Sequence, residues 1–337
     1  MENGDKKSNL GDRAAVILIA HGTVEDLADL PQFLANIRRG HAAPPELVAE
    51  VRRRYEAIGG KSPLNDISRS LAVKLEARLG LPVRLAMRLF APYPKEVLTA
   101  LAAEGRDRIA VVPLAQHSAK IYGTAVADAA KELETAASAA EQPGCSFVVR
   151  AAENWGRNPN LNAAFEGVAR SALTDAGVNT AADVAATTLL FTAHSLPKFI
   201  IDAGDPYDVE VNEAARDIGA RLRSDAALSG LDVRVCYQSQ GMSQPSRDGK
   251  PQPWLGPDLR ASLEDLARAG KKRVIVAPIG FLADHVEILY DLDIEASAWA
   301  KELGISFSRT RSLNDGEPMV RAIEDVARGV LSELATT

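Results

Sequence analysis

The feature that most constrains this chain is a recurring alternation of short, wholly apolar runs with helical segments. Residues 14–20 read Ala-Ala-Val-Ile-Leu-Ile-Ala and residues 187–193 read Thr-Thr-Leu-Leu-Phe-Thr-Ala. Neither run alternates polar with apolar, so each suggests a strand covered on both faces, as in a parallel sheet. Comparable strand patterns fall at 82–88, 109–114, 146–150, 233–237 and 274–279. Helical patterns fill 27–37, 45–58, 94–104 and 124–140, and another helix runs to Leu79 with Ser62 as N-cap and Pro63 at its first position. Strands that alternate with helices mean βαβ units.

The two halves repeat in outline. His21 follows the first apolar run and His194 follows the later one, and Val274-Ile-Val-Ala-Pro-Ile echoes Ile109-Ala-Val-Val-Pro-Leu. From His21 to Pro113 is 92 residues and from His194 to Pro278 is 84. We therefore expect an α/β protein of two similar doubly wound domains, with the two histidines facing one cleft from opposite sides, because ligands collect outside the carboxyl ends of such strands. The expected divisions are a flexible tail at 1–12, a first half at 13–152, a second half at 153–316, and a C-terminal helix at 317–337 that packs back on either half.

Composition excludes several classes. A net charge of −6 gives no general attraction to nucleic acid, so no nucleic-acid partner is expected. No apolar run reaches the roughly 18 to 20 residues of a membrane span. The polar opening Met1–Arg13 lacks the apolar core of a secretory signal, and a cytoplasmic location is expected. Cys145 and Cys236 are too few for a four-thiolate cluster, so no iron–sulfur cluster is expected and both read as small buried hydrophobes. No Gly-x-Gly-x-x-Gly follows the first strand, so no dinucleotide is implied.

After the 274–279 run, Glu287, Asp291 and Glu295 fall at i, i+4 and i+8. On an α-helix they would stack on one face a turn apart. Like charges so placed cost a few tenths of a kcal/mol per pair. A solvated face is one reason for such a row, and a path for a hard cation is another, since carboxylate oxygens exchange with the water of divalent iron or magnesium. Asp284 and Glu287 also fit a capping box. His285 reads as facing a structural partner, His41 as surface, and His117 equally as cleft lining or core. Between Gln238 and Pro257 four prolines and three glycines make a long loop, with Trp254-Leu255 anchoring its end.

Taken together, Thr192-Ala-His-Ser-Leu-Pro197, Gly204-Asp-Pro-Tyr207, Gln238-Ser239, Pro253-Trp-Leu-Gly-Pro257, Gly280 to Glu295, Ile37-Arg-Arg-Gly40 and Arg54-Tyr-Glu-Ala-Ile-Gly-Gly-Lys-Ser-Pro-Leu64 resemble the ferrochelatases, enzymes that insert ferrous iron into a porphyrin. The resemblance runs from about Val16 to Leu331. It implies two Rossmann-like domains with a porphyrin cleft between them. It makes His194 and Glu287 the catalytic pair and metal ligands, with Asp291 and Glu295 continuing the metal path. His21, Arg38, Arg54, Tyr55 and Ser62 become porphyrin-binding residues, the arginines pairing with propionates. Without the resemblance, Arg38, Arg54 and Lys61 would read as solvated charges.

The Arg-Arg-Gly and Arg-Tyr-Glu-Ala-Ile-Gly-Gly forms look more like the coproporphyrin III branch than the protoporphyrin IX branch. There are departures: His21 stands where many coproporphyrin enzymes have a tyrosine over the metal, a tyrosine of the cleft helix is replaced by Val126, and the loop after Gln238 is longer. Porphyrin and Fe2+ are the expected partners, both as substrates, with no prosthetic group and transient contact with haem-pathway enzymes. Neutral imidazole, with an ordinary pKa of about 6.5, suits His194 to accept a pyrrole proton. Cobalt insertion into an early tetrapyrrole is a more distant reading. A non-catalytic haem or tetrapyrrole carrier, with His21 as an axial ligand, is the alternative of a different class.

Overall fold

The computed structural model describes residues 10–139, 146–240 and 252–336. Residues 1–9 of the expected tail at 1–12, Cys145 and loop residues 241–251 lie outside the described residues.

The chain divides into two compact units. One comprises the chain up to Pro44, Leu64–Trp155 and Val320 onward; the other comprises Pro45–Pro63 and Gly156–Met319. The first unit holds a four-stranded parallel sheet of β1 (Ala14–Ala20), β2 (Val83–Met87), β3 (Arg108–Pro113) and β4 (Val148–Ala151), in the order β2-β1-β3-β4. The second holds β5 (Thr187–His194), β6 (Asp232–Gln238), β7 (Arg273–Ala277) and β8 (Ser306–Arg309), in the equivalent order β6-β5-β7-β8. In both, the chain leaves the central strand to one side and then crosses to the other. The carboxyl ends of β1 and β3, and of β5 and β7, therefore frame a topological switch point in each unit.

Burial explains the apolar runs. All seven residues of β1 are buried, and Ile17 and Ile19 pack with Leu98 and Leu101 of helix Pro94–Ala103 and with Val126 of helix Ala119–Ala139. Each such side chain contributes about 1.5–3 kcal/mol. In the second unit, Leu190, Val274 and Val276 pack with Leu263 and Leu266 of helix Leu259–Arg268. Leu255 is buried and donates its amide to the Leu196 carbonyl, so the anchoring expected at the loop's end is present. Cys236 is fully buried, as expected of a small hydrophobe, and burial pushes its thiol pKa up. No helix among the described residues is long and apolar enough to cross a membrane.

One element differs from the expected halves, and the C-terminal helix, expected on either half, takes one of them. Helix Pro45–Ala57, expected in the first half, belongs to the second unit. Its Arg54 pairs with Asp291 at 3.2 Å and lies over the Tyr290 ring at 5.0 Å. The C-terminal helix Glu317–Ala335 falls with the first unit from Val320 onward, where Glu324 pairs with Arg78 at 2.8 Å.

Candidate active site

The second unit concentrates its titratable groups where β5 and β7 end. His194 is the last residue of β5, and its carbonyl accepts a hydrogen bond from the Tyr207 hydroxyl at 2.9 Å. Ser195 is fully buried and donates to the Leu255 carbonyl at 2.9 Å, which fixes the chain just past the histidine. On β7's side, Gly280 donates its amide to the Thr192 carbonyl at 3.0 Å. A Cβ at Gly280 would stand 2.6 Å from Ala193 Cα, so only glycine permits this approach to the strand that carries His194.

The loop after β7 then delivers a helix. His285 is its extended N-cap residue, without a side-chain capping bond, and Val286–Leu289 is α-helical. Asp284 does not cap. It accepts from Ser312 at 2.7 Å and Asn314 at 2.9 Å and pairs with Arg309, so the capping-box reading is replaced by a tie to the segment after β8. His285 donates from Nδ1 to the Ala283 carbonyl at 3.0 Å, the structural partner expected of it.

Glu287, in the first turn, accepts from His194 Nδ1 at 3.0 Å. Its backbone carbonyl accepts from Gln238 Nε2 at 2.9 Å. The two side chains are about equally reachable, at 33% and 35% exposed. Burial by itself would lower the His194 pKa, but the Glu287 charge and hydrogen bond outweigh it and hold the imidazole pKa above its ordinary value. Glu287 is driven well down: burial opposes ionisation, and His194 and His285 more than offset it. The Glu287 charge thus favours the imidazolium form of His194, whereas the sequence suggests a neutral imidazole.

Beyond Glu287 the helix changes type. Residues Asp291–Ala296 form a π-helical turn in which the Ile294 and Glu295 amides both reach the Tyr290 carbonyl, at 3.1 and 3.0 Å. Such turns interrupt α-helices frequently at functional sites. The expected α-helical stacking of the three acids is thereby altered. Asp291 is buried, Glu295 is half-buried, and Asp293 is exposed and bound to Arg309. Asp291 accepts from Ser239 and pairs with Arg54, which also binds Glu50 at 2.9 Å. Burial and the nearby Glu287 charge raise the Asp291 pKa to about 6, against the pull of Ser239 and Arg54. Ser239 holds a left-handed φ of 58° at the point where it reaches Asp291, a conformation uncommon outside glycine.

Of the four expected metal ligands, the structure joins His194 and Glu287 directly and puts Asp291 on Arg54 and Ser239. Among the described residues no group of three or more His, Cys, Asp or Glu is placed to hold a metal ion together. Two buried oxygens at this strand end, Thr192 Oγ1 and Gln238 Oε1, have no hydrogen-bond partner among the described residues. Tyr55 and Ser62, expected on porphyrin, are 2% and 1% exposed.

The first unit's switch point is chemically different. His21 follows β1, is exposed, and sits 3.1 Å through Nδ1 from the Tyr122 hydroxyl. Phe33 meets the His21 ring edge-on at 6.4 Å, and the Arg88 guanidinium lies 5.6 Å over the Tyr122 ring. Val126, at which a site tyrosine was expected to be replaced, is fully buried among Ile17 and Ile19. Tyr122, one turn earlier, is the tyrosine beside His21. Arg38 is half-buried, and its Nε has no hydrogen-bond partner among the described residues. His117 is 3% exposed, which resolves its two readings towards the interior.

Sequence reasoning left Tyr122, Tyr207, Gln238 and Ser239 out of the site. The last three lie inside the quoted motifs, and that adjacency was the available signal. For Tyr122 nothing local marked it.

These observations define a doubly wound α/β protein with a histidine–carboxylate site at a sheet's switch point. The ferrochelatase family model matches residues 13–331. The ferrochelatase of Herpetosiphon aurantiacus is 33% identical over 324 residues, covering 94% of this chain and 99% of that protein. The coproporphyrin III ferrochelatase of Streptomyces griseus is 32% identical over 338 residues, covering 95% of this chain and 86% of that protein. In fold, the chain is similar to SirB from Bacillus subtilis in a structure with Fe3+, at a TM-score of 0.54 and 15% identity over 96% of this chain and 98% of that one. The chain belongs to the ferrochelatase family, enzymes that place iron in a porphyrin.

Proposed function

We propose that this chain inserts Fe2+ into coproporphyrin III, with His194 and Glu287 as the reacting pair. The observation that carries the reading is the 3.0 Å hydrogen bond between His194 Nδ1 and Glu287, backed by the buried Asp291 with its pKa near 6. Metallation must release two pyrrole protons and strip water from the incoming ion. A carboxylate that binds Fe2+ no longer compensates an imidazolium, so iron reaching Glu287 favours loss of the His194 proton. The imidazole then accepts a pyrrole proton or a metal bond. Asp291, with a pKa near 6, is half-protonated in mildly acidic solution and passes protons onward, and Glu295 continues the path. Arg54 limits the charge of this row. Fe2+ and the porphyrin are substrates, and the reaction as proposed uses no prosthetic group.

Relatives named as coproporphyrin III ferrochelatases at about 32% identity support the substrate branch, as does the unsatisfied Arg38 Nε, a donor suited to a propionate oxygen. The commitment of Arg54 to Glu50 and Asp291 favours the second reading, protoporphyrin IX, because it withdraws one cation from the propionates. His21, held through Tyr122, is proposed to contact the porphyrin or the product iron.

The test is anaerobic Fe2+ insertion with both porphyrins offered in parallel, followed by absorbance. Faster metallation of coproporphyrin III supports the branch, and the reverse preference replaces it. A porphyrin that binds without metallation, unchanged in His194→Ala, would make the chain a carrier.

A further inference from the structure

The second unit carries a cavity unrelated to the His194–Glu287 pair. It has a volume of about 280 Å³ and lies between helix Pro159–Asp175 and the strands β7 and β8. Its lining includes Arg273, Arg309, Arg311, Ser306, Ser308 and Asp175. In the sheet register Arg273 lies beside Ser306 and Ile275 beside Ser308, so Arg273 and both serines project to one face. A strand face beneath a helix ordinarily presents Val, Ile or Leu to fill the space. Here the positions on β8 are hydroxyls and the space remains open.

The cations are unequal. Arg309 is committed to Asp284 and Asp293. Arg273 reaches Thr187 Oγ1 only at 3.4 Å, a long contact. Arg311 is exposed and makes no ion pair among the described residues. Two arginines with spare donors and two serine hydroxyls thus face a single carboxylate, Asp175. Ligand pockets for drug-sized apolar molecules are larger and mostly apolar. A small, hydroxyl-lined and cationic one matches the forked donors of guanidinium to phosphate or carboxylate oxygens.

We propose that this cavity binds a small multivalent oxyanion through Arg273 and Arg311, with Ser306 and Ser308 donating to its oxygens. The proposal is independent of the metallation reading. Its test is calorimetric titration of the full-length, metal-free protein at low ionic strength with inorganic pyrophosphate in one arm and citrate in the other. Saturable binding of at least one is expected, weakened at least tenfold by the double substitution Arg273→Gln, Arg311→Gln, and weakened also by added sodium chloride. Arg157→Gln, which removes a cation held by Glu213 and Asp217 elsewhere, should leave it unchanged. The stronger arm distinguishes a phosphate-type from a polycarboxylate ligand. Arg311→Gln alone removes an exposed side chain without an ion pair and serves if the double variant does not fold. No saturable binding in either arm, or equal binding by wild type and the folded arginine variants, overturns the proposal.

Discussion

The two sheets are wired alike and equipped differently. One histidine ends β5 and another directly follows β1, yet His194 meets a carboxylate and His21 meets a phenol. Beside His194 lie Glu287 and Asp291, and the pKa values of these three groups are shifted by burial and by one another's charges. Around His21 lie Phe33, Tyr122 and Arg88, an aromatic and cationic surface. The same topology thus carries a cluster of titratable groups at one strand end and aromatic and cationic groups at the other. Fold sets where a site falls, and the few residues at the strand ends decide its chemistry.

The sharpest way to break this contrast is Glu287→Gln. The amide keeps the shape but cannot hold His194 as imidazolium or bind iron as an anion. Insertion should fall about 10²–10⁴-fold, the usual worth of a positioned acid–base group, while porphyrin binding remains measurable by fluorescence quenching. The same variant should bring the His194 pKa down, read by NMR on metal-free protein. Wild-type turnover would remove Glu287 from the reaction.

Asp291 provides the next largest effect, in stability. A carboxyl raised from 3.8 to about 6 on folding favours the folded state only while protonated. Its penalty therefore accrues as pH climbs from the unfolded value near 3.8 to about 6 and amounts to about 3 kcal/mol above that. His194 has the same sign, since its raised pKa gives stability present below the unfolded value and lost as pH rises through the folded one. Glu287, lowered on folding, stabilises above its unfolded pKa and loses that contribution only as pH falls through its depressed folded value. Asp291→Asn should accordingly raise denaturant stability at pH 8 and change it little at pH 4. An equal gain at both values would mean that the carboxylate is not strained by burial.

How much of this was legible in the sequence divides along the same line. Strands whose residues are buried on both faces, such as β1 and β5, announce themselves by apolar content. The edge strand β8, Ser-Phe-Ser-Arg, does not, because half of it faces an open cavity. Helices Pro159–Asp175, Tyr207–Arg223 and Leu259–Arg268 also went unread beside stronger motif signals. The two partners of the His194–Glu287 hydrogen bond both lie within the quoted motifs. The π turn was not, since i→i+5 bonding leaves no compositional mark and an acid every fourth residue reads as an ordinary helix. The Arg54–Asp291 pair joins residues 237 apart. Local spacing does not reveal it, so the sequence offers Arg54 only to a propionate and places its helix with the first half.

Gly280→Ala tests whether the His194 strand end depends on its close backbone approach. An added methyl would overlap Ala193, and a loss of about 1–3 kcal/mol is expected from overpacking. Thermal or urea unfolding measures it, and insertion should fall with it as His194 shifts. Full stability would show that the loop after β7 yields freely, leaving the pair's geometry without that support.

The smallest expected effect lies on the other sheet. In the proposed reaction His21→Ala removes the imidazole beside Tyr122 but no proton acceptor, so kcat should change less than about tenfold, below the range of a lost acid–base group. Its signature should instead appear in the absorption spectrum of bound product and in product release, because an axial imidazole acts on iron already in the ring. Tyr122→Phe should shift the same spectrum by a smaller amount, through the lost hydrogen bond to Nδ1. If His21→Ala were as damaging to insertion as Glu287→Gln, the division of labour between the sheets would fail, and the first histidine would have to enter the proton path on equal terms with the second.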